Sequence, residues 1–246
     1  MSAPADQATT QDAVCYQAAS LLLAYPDEEL VSRLPLIREA LAGTAFAEYF
    51  EPTLAHLDTT PLVEAQSFHV QEFDVSRRHA LHLSYWTDGD TRRRGEVLAG
   101  IKQVYRDSGL LVRLDGELPD HLPLLLEFAA IGDPERGRQL LITYRASLEL
   151  LRLQLEKDEL PQAGILQAIV STLPGASPKT YAEVQALHDA ARPVETVGLD
   201  GYGAGPSDLG MPTARPVEPA PAPAPAAPPA RPRGLLARLT SRKENQ

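Results

Sequence analysis

The sequence predicts an all-α fold: a single bundle-like domain of about seven to nine helices with a disordered, proline-rich C-terminal tail. Three observations support this prediction. Apolar residues recur at helical spacing through much of the first 190 residues. Several capping side chains stand directly before a proline or an acidic run, as at the start of a helix. No stretch alternates apolar and polar residues beside a hairpin turn, as paired strands would.

The first two helices are predicted from the N-terminal part of the chain. Val14, Ala18 and Leu22 fall on one helical face, and Pro26 brings that helix to a close. Asp27 is expected to open the second helix together with the two glutamates that follow it, because negative charge is favourable at a helix N-terminus.

Further helix starts are predicted where a capping residue precedes a proline, at Thr60, Asp133 and Ser177. The longest helix is predicted over about residues 134–157, where leucines recur on one face. Another helix is expected to begin after Asp90 and to end near Gly109.

Composition divides the chain into three parts. Residues 1–11 are polar and are predicted to be a disordered N-terminus, and residues 12–190 form the helical domain. Residues 191–246 form the tail: ten of the 22 prolines lie within residues 206–232, and large apolar residues are rare there. Such a segment cannot offset the entropy of ordering and is predicted to be disordered. Within it, residues 234–243 could form a short amphipathic helix.

Charge restricts the partners that this protein can have. The tail carries seven basic and five acidic residues, which leaves sixteen basic and 28 acidic residues in residues 1–190, a net charge of −12. An acidic domain repels nucleic acid and anionic membranes and attracts basic partners. The chain shows no secretory leader and no run of 18 apolar residues, so we expect a cytoplasmic protein that is not integral to a membrane.

Cysteine usage excludes two further kinds of site. Cys15 is the single cysteine, which excludes an internal disulfide framework and any metal site built from several cysteines. It stands in an apolar helical run, where we expect it to be buried as a small hydrophobic residue.

The stretch "YWTDGDTRRRGEV", residues 85–97, reverses its charge within a few positions. A metal or phosphate site, a nucleic-acid patch and a protein-binding surface are the three explanations. His79 and His82, with Asp88 and Asp90 nearby, offer the ligand types of a zinc site. A metal-dependent helical hydrolase built on these four residues is therefore one alternative, whereas the simpler role of Asp90 is to cap the next helix.

Arg92, Arg93 and Arg94 occupy the first turn of the predicted helix. The helix dipole disfavours a cation there by roughly 0.3–1 kcal/mol. Three cations in a position that the helix dipole disfavours indicate a compensating anionic partner. Asp88 and the acidic stretch near Glu117 and Asp120 could supply it, and so could a carboxylate or phosphate of another molecule.

Two long motifs resemble one known family. The runs "VQEFDVSRRHALHLSYWTDGDTRRRGEVLAGIKQVYRDSGL" and "DGELPDHLPLLLEFAA", with the opening "AASLLLAYPDEEL", closely resemble the nitrate reductase molybdenum cofactor assembly chaperones, the delta-subunit or NarJ family. The resemblance covers about residues 12–190 and leaves out the tail. "LPDHLPLLLEF" is similar to an element of the wider group of redox-enzyme maturation chaperones.

The resemblance implies a cytosolic all-helical chaperone without catalytic residues, cofactor or resident metal. Its implied partner is the apo catalytic (alpha) subunit of respiratory nitrate reductase, recognised through a basic amphipathic N-terminal segment while the molybdenum cofactor is inserted. Molybdenum cofactor biosynthesis proteins are a further implied partner. A second alternative is a regulatory adaptor that docks through its proline-rich tail.

The candidate client-binding residues lie in the two long motifs. In the first motif we expect a rigid corner between helices, in which Gly89 allows the turn. In the second we expect a hinge that also forms part of the client surface, with Asp120 serving either as a helix cap before His121 or as a client contact. Leu124, Leu125 and Leu126 are expected to belong mostly to the core. The candidates are Tyr85, Trp86, Asp88, Asp90, Arg92, Arg93, Arg94, Glu117, Pro119, Asp120, His121 and Glu127.

Overall fold

The computed structural model describes residues 4–89, 92–114, 116–191 and 239–241. Within these residues nearly all of the regular secondary structure is helical, which confirms the predicted all-α class, but the described residues form eleven α-helices rather than seven to nine. The α-helices are α1 (Pro4–Leu22), α2 (Glu28–Leu41), α3 (Ala47–Thr59), α4 (Leu62–His69), α5 (Leu83–Asp88), α6 (Arg92–Asp107), α7 (Leu122–Glu127), α8 (Pro134–Thr143), α9 (Arg145–Lys157), α10 (Ala163–Ser171) and α11 (Tyr181–Ala191). The other elements are the π-helical segments Val70–Val75 and Phe128–Gly132, the 3-10 turn Arg77–His79, and the strands β1 (Leu110–Val112) and β2 (Leu239–Ser241).

The longest predicted helix is divided in two. Helix α8 ends at Thr143 and α9 begins at Arg145, with Tyr144 between them at φ −96° and ψ 20°. The two halves have different partners, because α8 packs on the segment Phe128–Gly132 whereas α9 packs on α5, α10 and α11. An apolar stripe shows that both halves are buried, but it does not show that they face different neighbours.

Two of the predicted helix starts are confirmed by cap geometry. The Oδ1 atom of Asp27 accepts the backbone N–H of Leu30 at 2.8 Å, at the start of α2. Asp133 does the same for α8, accepting the N–H of Arg136 at 3.0 Å. Each carboxylate satisfies a backbone donor that the helix itself leaves open.

Two other predicted caps are wrong, although the helix predicted after Thr60 is present as α4, which begins at Leu62. Thr60 ends α3 rather than opening α4, and its N–H donates to the His56 carbonyl at 3.0 Å. Ser177 lies before the loop that leads to α11. The cap of that helix is Thr180, whose hydroxyl accepts the Glu183 N–H at 3.3 Å. A proline after a hydroxyl residue is compatible with a helix start and equally with a turn.

The two ends of the chain also differ from expectation where the structure describes them. Helix α1 begins at Pro4, so residues 4–11 are helical and not disordered. Residues 239–241 are a strand and not part of a helix over 234–243. The remainder of the predicted tail lies outside the described residues. None of the described helices has the length and apolar character needed to span a bilayer.

Helix α7 lies at the centre of the core. All six of its residues are buried, so the expectation for Leu124, Leu125 and Leu126 is confirmed. It packs against α1, α8 and the segment Phe128–Gly132. Cys15 on α1 is fully buried, and burial raises the pKa of its thiol, so it contributes packing.

Two pairs of elements approach each other at glycine. A Cβ added to Gly164 of α10 would lie 2.0 Å from the carbonyl oxygen of Tyr49 in α3. A Cβ on Gly137 of α8 would lie 2.4 Å from the Cα of Ala129. Both contacts place backbone against backbone, so neither neighbour can move aside as a flexible side chain would.

A buried charge network on α9 holds the chain that follows α10. Glu149 is fully buried and pairs with Arg152 at 2.7 Å and with Arg145 at 3.4 Å. The two arginines also donate to backbone carbonyls of the loop before α11, at Gly175 and Pro178. Because each charge has both an opposite charge and hydrogen bonds, burial of this network is tolerated.

Candidate functional site

Backbone pairing brings the two family-like motifs together. His82 and His121 form an isolated antiparallel bridge. On either side of it, the Leu83 N–H donates to the Asp120 carbonyl at 3.1 Å and the Leu122 N–H donates to the Leu81 carbonyl at 2.8 Å. Helix α5 begins directly after His82, and α7 begins directly after His121. Because the pairing is antiparallel, the two helices leave the bridge in opposite directions.

Asp120 is the polar centre of this junction. Its side chain is fully buried, and its Oδ2 atom accepts the Ser84 N–H at 3.0 Å and the Ser84 hydroxyl at 2.6 Å. Asp120 thus acts as the cap of α5 from a distant part of the chain. The Nη2 atom of Arg94 lies 3.8 Å from Oδ2, and its Nε donates to the Ser84 oxygen at 3.1 Å. The buried negative charge is therefore opposed by an arginine.

The corner between α5 and α6 is closed by internal ion pairs. Gly89 ends α5 at φ +57°, a conformation that favours glycine. The Nε atom of Arg93 lies 3.5 Å from Asp88 Oδ1, and Arg94 lies over the Tyr85 ring at 6.0 Å. The intramolecular explanation for the charge reversal thus holds for Arg93 and Arg94. Asp90 and the side chain of Arg92 lie outside the described residues.

Two aromatic side chains tie the junction to its surroundings. Trp86 donates its indole N–H to the Ala80 carbonyl at 2.9 Å. Tyr105 of α6 donates its hydroxyl to the Pro119 carbonyl at 2.8 Å, and its ring packs edge-on against Phe128 at 4.8 Å. Burial raises the pKa of Tyr105, so its hydroxyl stays protonated and remains a donor. Helix α6 is fastened to the second motif by this bond.

His79 does not join His82 in a metal centre. Its buried ring lies between two carboxylates, with Nε2 2.8 Å from Asp158 Oδ2 and Nδ1 3.0 Å from Glu72 Oε2. Hydrogen bonds with Gln154 and His79 hold the pKa of the Asp158 carboxyl below its usual value. The described residues contain no group of three His, Cys, Asp or Glu side chains that could hold a metal ion.

The rings of His82 and His121 face each other at the rim of the junction. Their centroids are 5.3 Å apart with an interplanar angle of 36°. The Nε2 atom of His82 lies 3.8 Å from Glu117 Oε2. All three side chains are half-buried, so each is partly accessible to solvent.

Three residues that the sequence did not single out lie beside this rim. His69 packs edge-on against Tyr25 at 5.6 Å, and its Nε2 atom lies 3.9 Å from Asp74 Oδ1. Burial lowers the pKa of His69 to about 4, opposed by the charge of Glu117. Burial raises the pKa of Asp74, and Glu117 adds to that increase. Glu117 is thus close enough to act on both groups.

These six residues form a half-open surface that we term the histidine–acid face: Tyr25, His69, Asp74, His82, Glu117 and His121. Exposed apolar side chains adjoin it in sequence at Val70 and Leu118. Tyr25 and Asp74 lie in the family-like runs, but only the tertiary structure places Tyr25 against His69 and brings Asp74 under the influence of Glu117.

The candidate residues differ in their access to solvent. Arg93 is exposed, whereas six others are half-buried: Tyr85, Trp86, Asp88, Arg94, Glu117 and His121. Pro119, Asp120 and Glu127 are buried, so they face the interior in this conformation.

Comparisons with known proteins point to one family. The model of the family described as nitrate reductase delta subunit matches residues 36–159. The nitrate reductase-like protein NarX of Mycobacterium tuberculosis is 37% identical over 159 residues, which are 65% of this chain and 24% of NarX. A Bacillus subtilis protein named as the nitrate reductase molybdenum cofactor assembly chaperone NarJ is 31% identical over 168 residues, 67% of this chain and 91% of that protein.

One solved structure also resembles this chain. A protein of Archaeoglobus fulgidus assigned to redox enzyme maturation superposes with a TM-score of 0.49 at 22% identity, covering 65% of this chain and 91% of that one. Of the two relatives described above, this chain spans about a quarter of NarX and most of the Bacillus protein.

Proposed function

Because the chain belongs to the nitrate reductase delta subunit family, we propose that it is a non-catalytic chaperone of nitrate reductase assembly. It binds the apo catalytic (alpha) subunit in the cytoplasm, as expected from the sequence, and enables insertion of the molybdenum cofactor, with cofactor biosynthesis proteins as further partners. The observation that carries this proposal is the family match over residues 36–159. A relative named for the same task aligns along 91% of its own length, which supports it.

The alternative of a metal-dependent hydrolase has no support. Of its four suggested ligands, His79 contacts Glu72 and Asp158, His82 faces Glu117, and Asp88 pairs with Arg93. Asp90 lies outside the described residues. The side chains are therefore directed to separate partners rather than to one shared ion.

We place client recognition on the histidine–acid face. The expected client segment is basic and amphipathic, so it requires carboxylates for its charges and apolar surface for its other side. Glu117 and Asp74 supply carboxylates, while Tyr25, Val70 and Leu118 are exposed apolar or aromatic neighbours. Arg93 and Arg94 then act within the corner, and the buried Asp120 stabilises the junction next to His121 through its bonds to Ser84.

The direct test is calorimetric titration of the purified chain with a synthetic peptide of the alpha subunit's N-terminal segment. The variant Asp74→Asn/Glu117→Gln removes two negative charges from the face and should weaken binding about 5- to 100-fold, the range expected for loss of close charge pairs. The matched control, Glu39→Gln/Glu96→Gln, removes two exposed charges elsewhere and should bind nearly as the parent does.

Two outcomes would contradict this proposal at different levels. Equal weakening in both variants would show that net charge matters and that the face does not. A parent chain that neither binds the peptide nor restores nitrate reductase activity in cells lacking their own chaperone would exclude the proposed function itself.

A further inference from the structure

Strand β1 presents an edge that the chain's own C-terminal segment covers. Leu110 pairs with Ser241, Leu111 with Thr240 and Val112 with Leu239 in an antiparallel register. Leu110 and Val112 pack against the core, whereas the Leu111 side chain between them is 59% exposed. The body of the protein therefore holds β1 in place, while its pairing partner comes from the far end of the chain.

The charge of the C-terminal segment is opposite to that of the domain. Residues 231–243 contain five basic residues and no acidic residue. Residues 1–190 carry a net charge of −12. Attraction between a basic segment and an acidic body supports the pairing at β1, in addition to its backbone hydrogen bonds.

The covered edge lies close to the proposed client surface. Only four residues separate Val112 from Glu117, so their Cα atoms are at most about 18 Å apart. The Glu117 N–H donates to the Leu114 carbonyl at 2.8 Å, which makes this connection a turn and shortens the distance further. A polypeptide paired with β1 therefore lies near Glu117, which belongs to the histidine–acid face.

We propose that β1 is a docking edge for a basic, extended polypeptide and that residues 239–241 of this chain are its resident occupant, an intramolecular competitor of the client segment. The competition rests on the proposed function, whereas the docking of the tail does not. A three-residue ribbon is only marginally stable. Attachment to the same chain supplies a high local concentration, so the contact forms and remains easy to displace.

The test uses full-length chains that differ only near the C-terminus. The variant Leu239→Pro/Thr240→Pro removes the backbone donors of two adjacent residues, so pairing is disrupted whichever of them faces β1. The matched control, Asn245→Pro/Gln246→Pro, places the same two prolines after the strand without a change of charge. Amide hydrogen exchange of residues 110–112 should be several-fold faster in the first variant and unchanged in the control.

Affinity for the client peptide gives the second readout. The Leu239→Pro/Thr240→Pro chain should bind the peptide several-fold more tightly than the parent, because its own segment no longer competes. The control should bind as the parent does. Equal exchange rates in all three chains, or equal measurable affinities for the client peptide, would overturn the inference. Exchange rates that depend on protein concentration would show instead that β1 pairs with the C-terminal segment of a second copy of the chain.

Failure of the proposed function can be distinguished from failure of the docking at β1. If the client peptide binds to none of the three chains, the proposed function is wrong. A synthetic peptide of residues 231–246 then tests the docking of the tail at β1 independently of the client. Added to the Leu239→Pro/Thr240→Pro chain, it should restore slow exchange at residues 110–112. Lack of such restoration would show that β1 is not a docking edge.

Discussion

At the scale of single residues, Asp120 shows how a motif position can serve the fold. A carboxylate in a polar motif suggests a contact with a partner, but this one is fully buried and accepts two hydrogen bonds from Ser84. Arg94 supplies the opposing charge. Charge reversal at Asp120 would therefore act on folding first, so Asp120, unlike Glu117, is not suited to a direct test of client binding.

We predict that Asp120→Ala lowers the free energy of unfolding by about 2–4 kcal/mol, because it leaves the Ser84 donors and the Arg94 charge without their partner. Asp120→Asn keeps an acceptor oxygen and should cost less. Urea denaturation measures both, and Glu117→Gln at the half-exposed rim is the control, expected within about 0.5 kcal/mol of the parent. A similar loss for the control and Asp120→Ala would contradict this account.

His69 predicts a pH dependence of stability. Its ring is buried, and Asp74, 3.9 Å away, is 57% exposed, so burial dominates and the pKa of His69 falls to about 4. An unfolded histidine titrates near 6.5. The unfolded state therefore binds a proton first, and the contribution of His69 is fully present above pH 6.5 and declines as the pH falls towards 4.

The expected loss over this window is up to about 3 kcal/mol. The variant His69→Phe keeps an aromatic ring without the titrating group, so its unfolding free energy should depend less on pH between 6.5 and 4 than that of the parent. Urea denaturation at several pH values measures the difference. Parallel curves for the two proteins would show that His69 is not the titrating group.

At the scale of elements, the fold depends on contacts between helices that are distant in the chain. Helices α5 and α7 are joined by the His82–His121 bridge, and α3 and α10 meet at Gly164. Neither contact is encoded by helical periodicity. The bridge needs two extended residues just before two helices, and the crossing needs a residue without a Cβ atom.

We predict that Gly164→Ala lowers the free energy of unfolding by about 1–3 kcal/mol, because its Cβ would meet the Tyr49 carbonyl oxygen at 2.0 Å. Gly100→Ala is the matched control in the exposed face of α6, where no atom lies within 4 Å of an added Cβ. There the better helix propensity of alanine should raise stability by about 0.5–1 kcal/mol. Thermal or urea unfolding of both variants decides whether the two changes have opposite signs.

At the scale of the whole molecule, the helical domain is acidic, whereas the segment at the C-terminus is basic. The acidic domain attracts basic polypeptides, whether the client or residues 231–243. In the proposed mode of client binding, apolar neighbours of the histidine–acid face would add a contribution that does not depend on charge. Binding of the client should therefore combine two terms with different salt dependence.

We predict that affinity for the client peptide weakens but persists between 0.1 M and 1 M salt. The Debye length falls from about 10 Å to about 3 Å over this range, which screens the charge pairs, while apolar burial is retained. Calorimetric titration at several salt concentrations measures this trend. Affinity that is independent of salt would exclude a role for the acidic face, and complete loss at 1 M would exclude the apolar contribution.

The sequence by itself determined the all-α class, the family, and the local features that depend on neighbouring residues. Asp27 and Asp133 cap their helices and Gly89 makes its turn because these preferences act over a few residues. Only the tertiary structure decided which motif residues are accessible. The burial of Asp120, the orientation of His79 towards Asp158, and the packing of His69 against Tyr25 all depend on contacts between distant segments, and local spacing carries no information about such contacts.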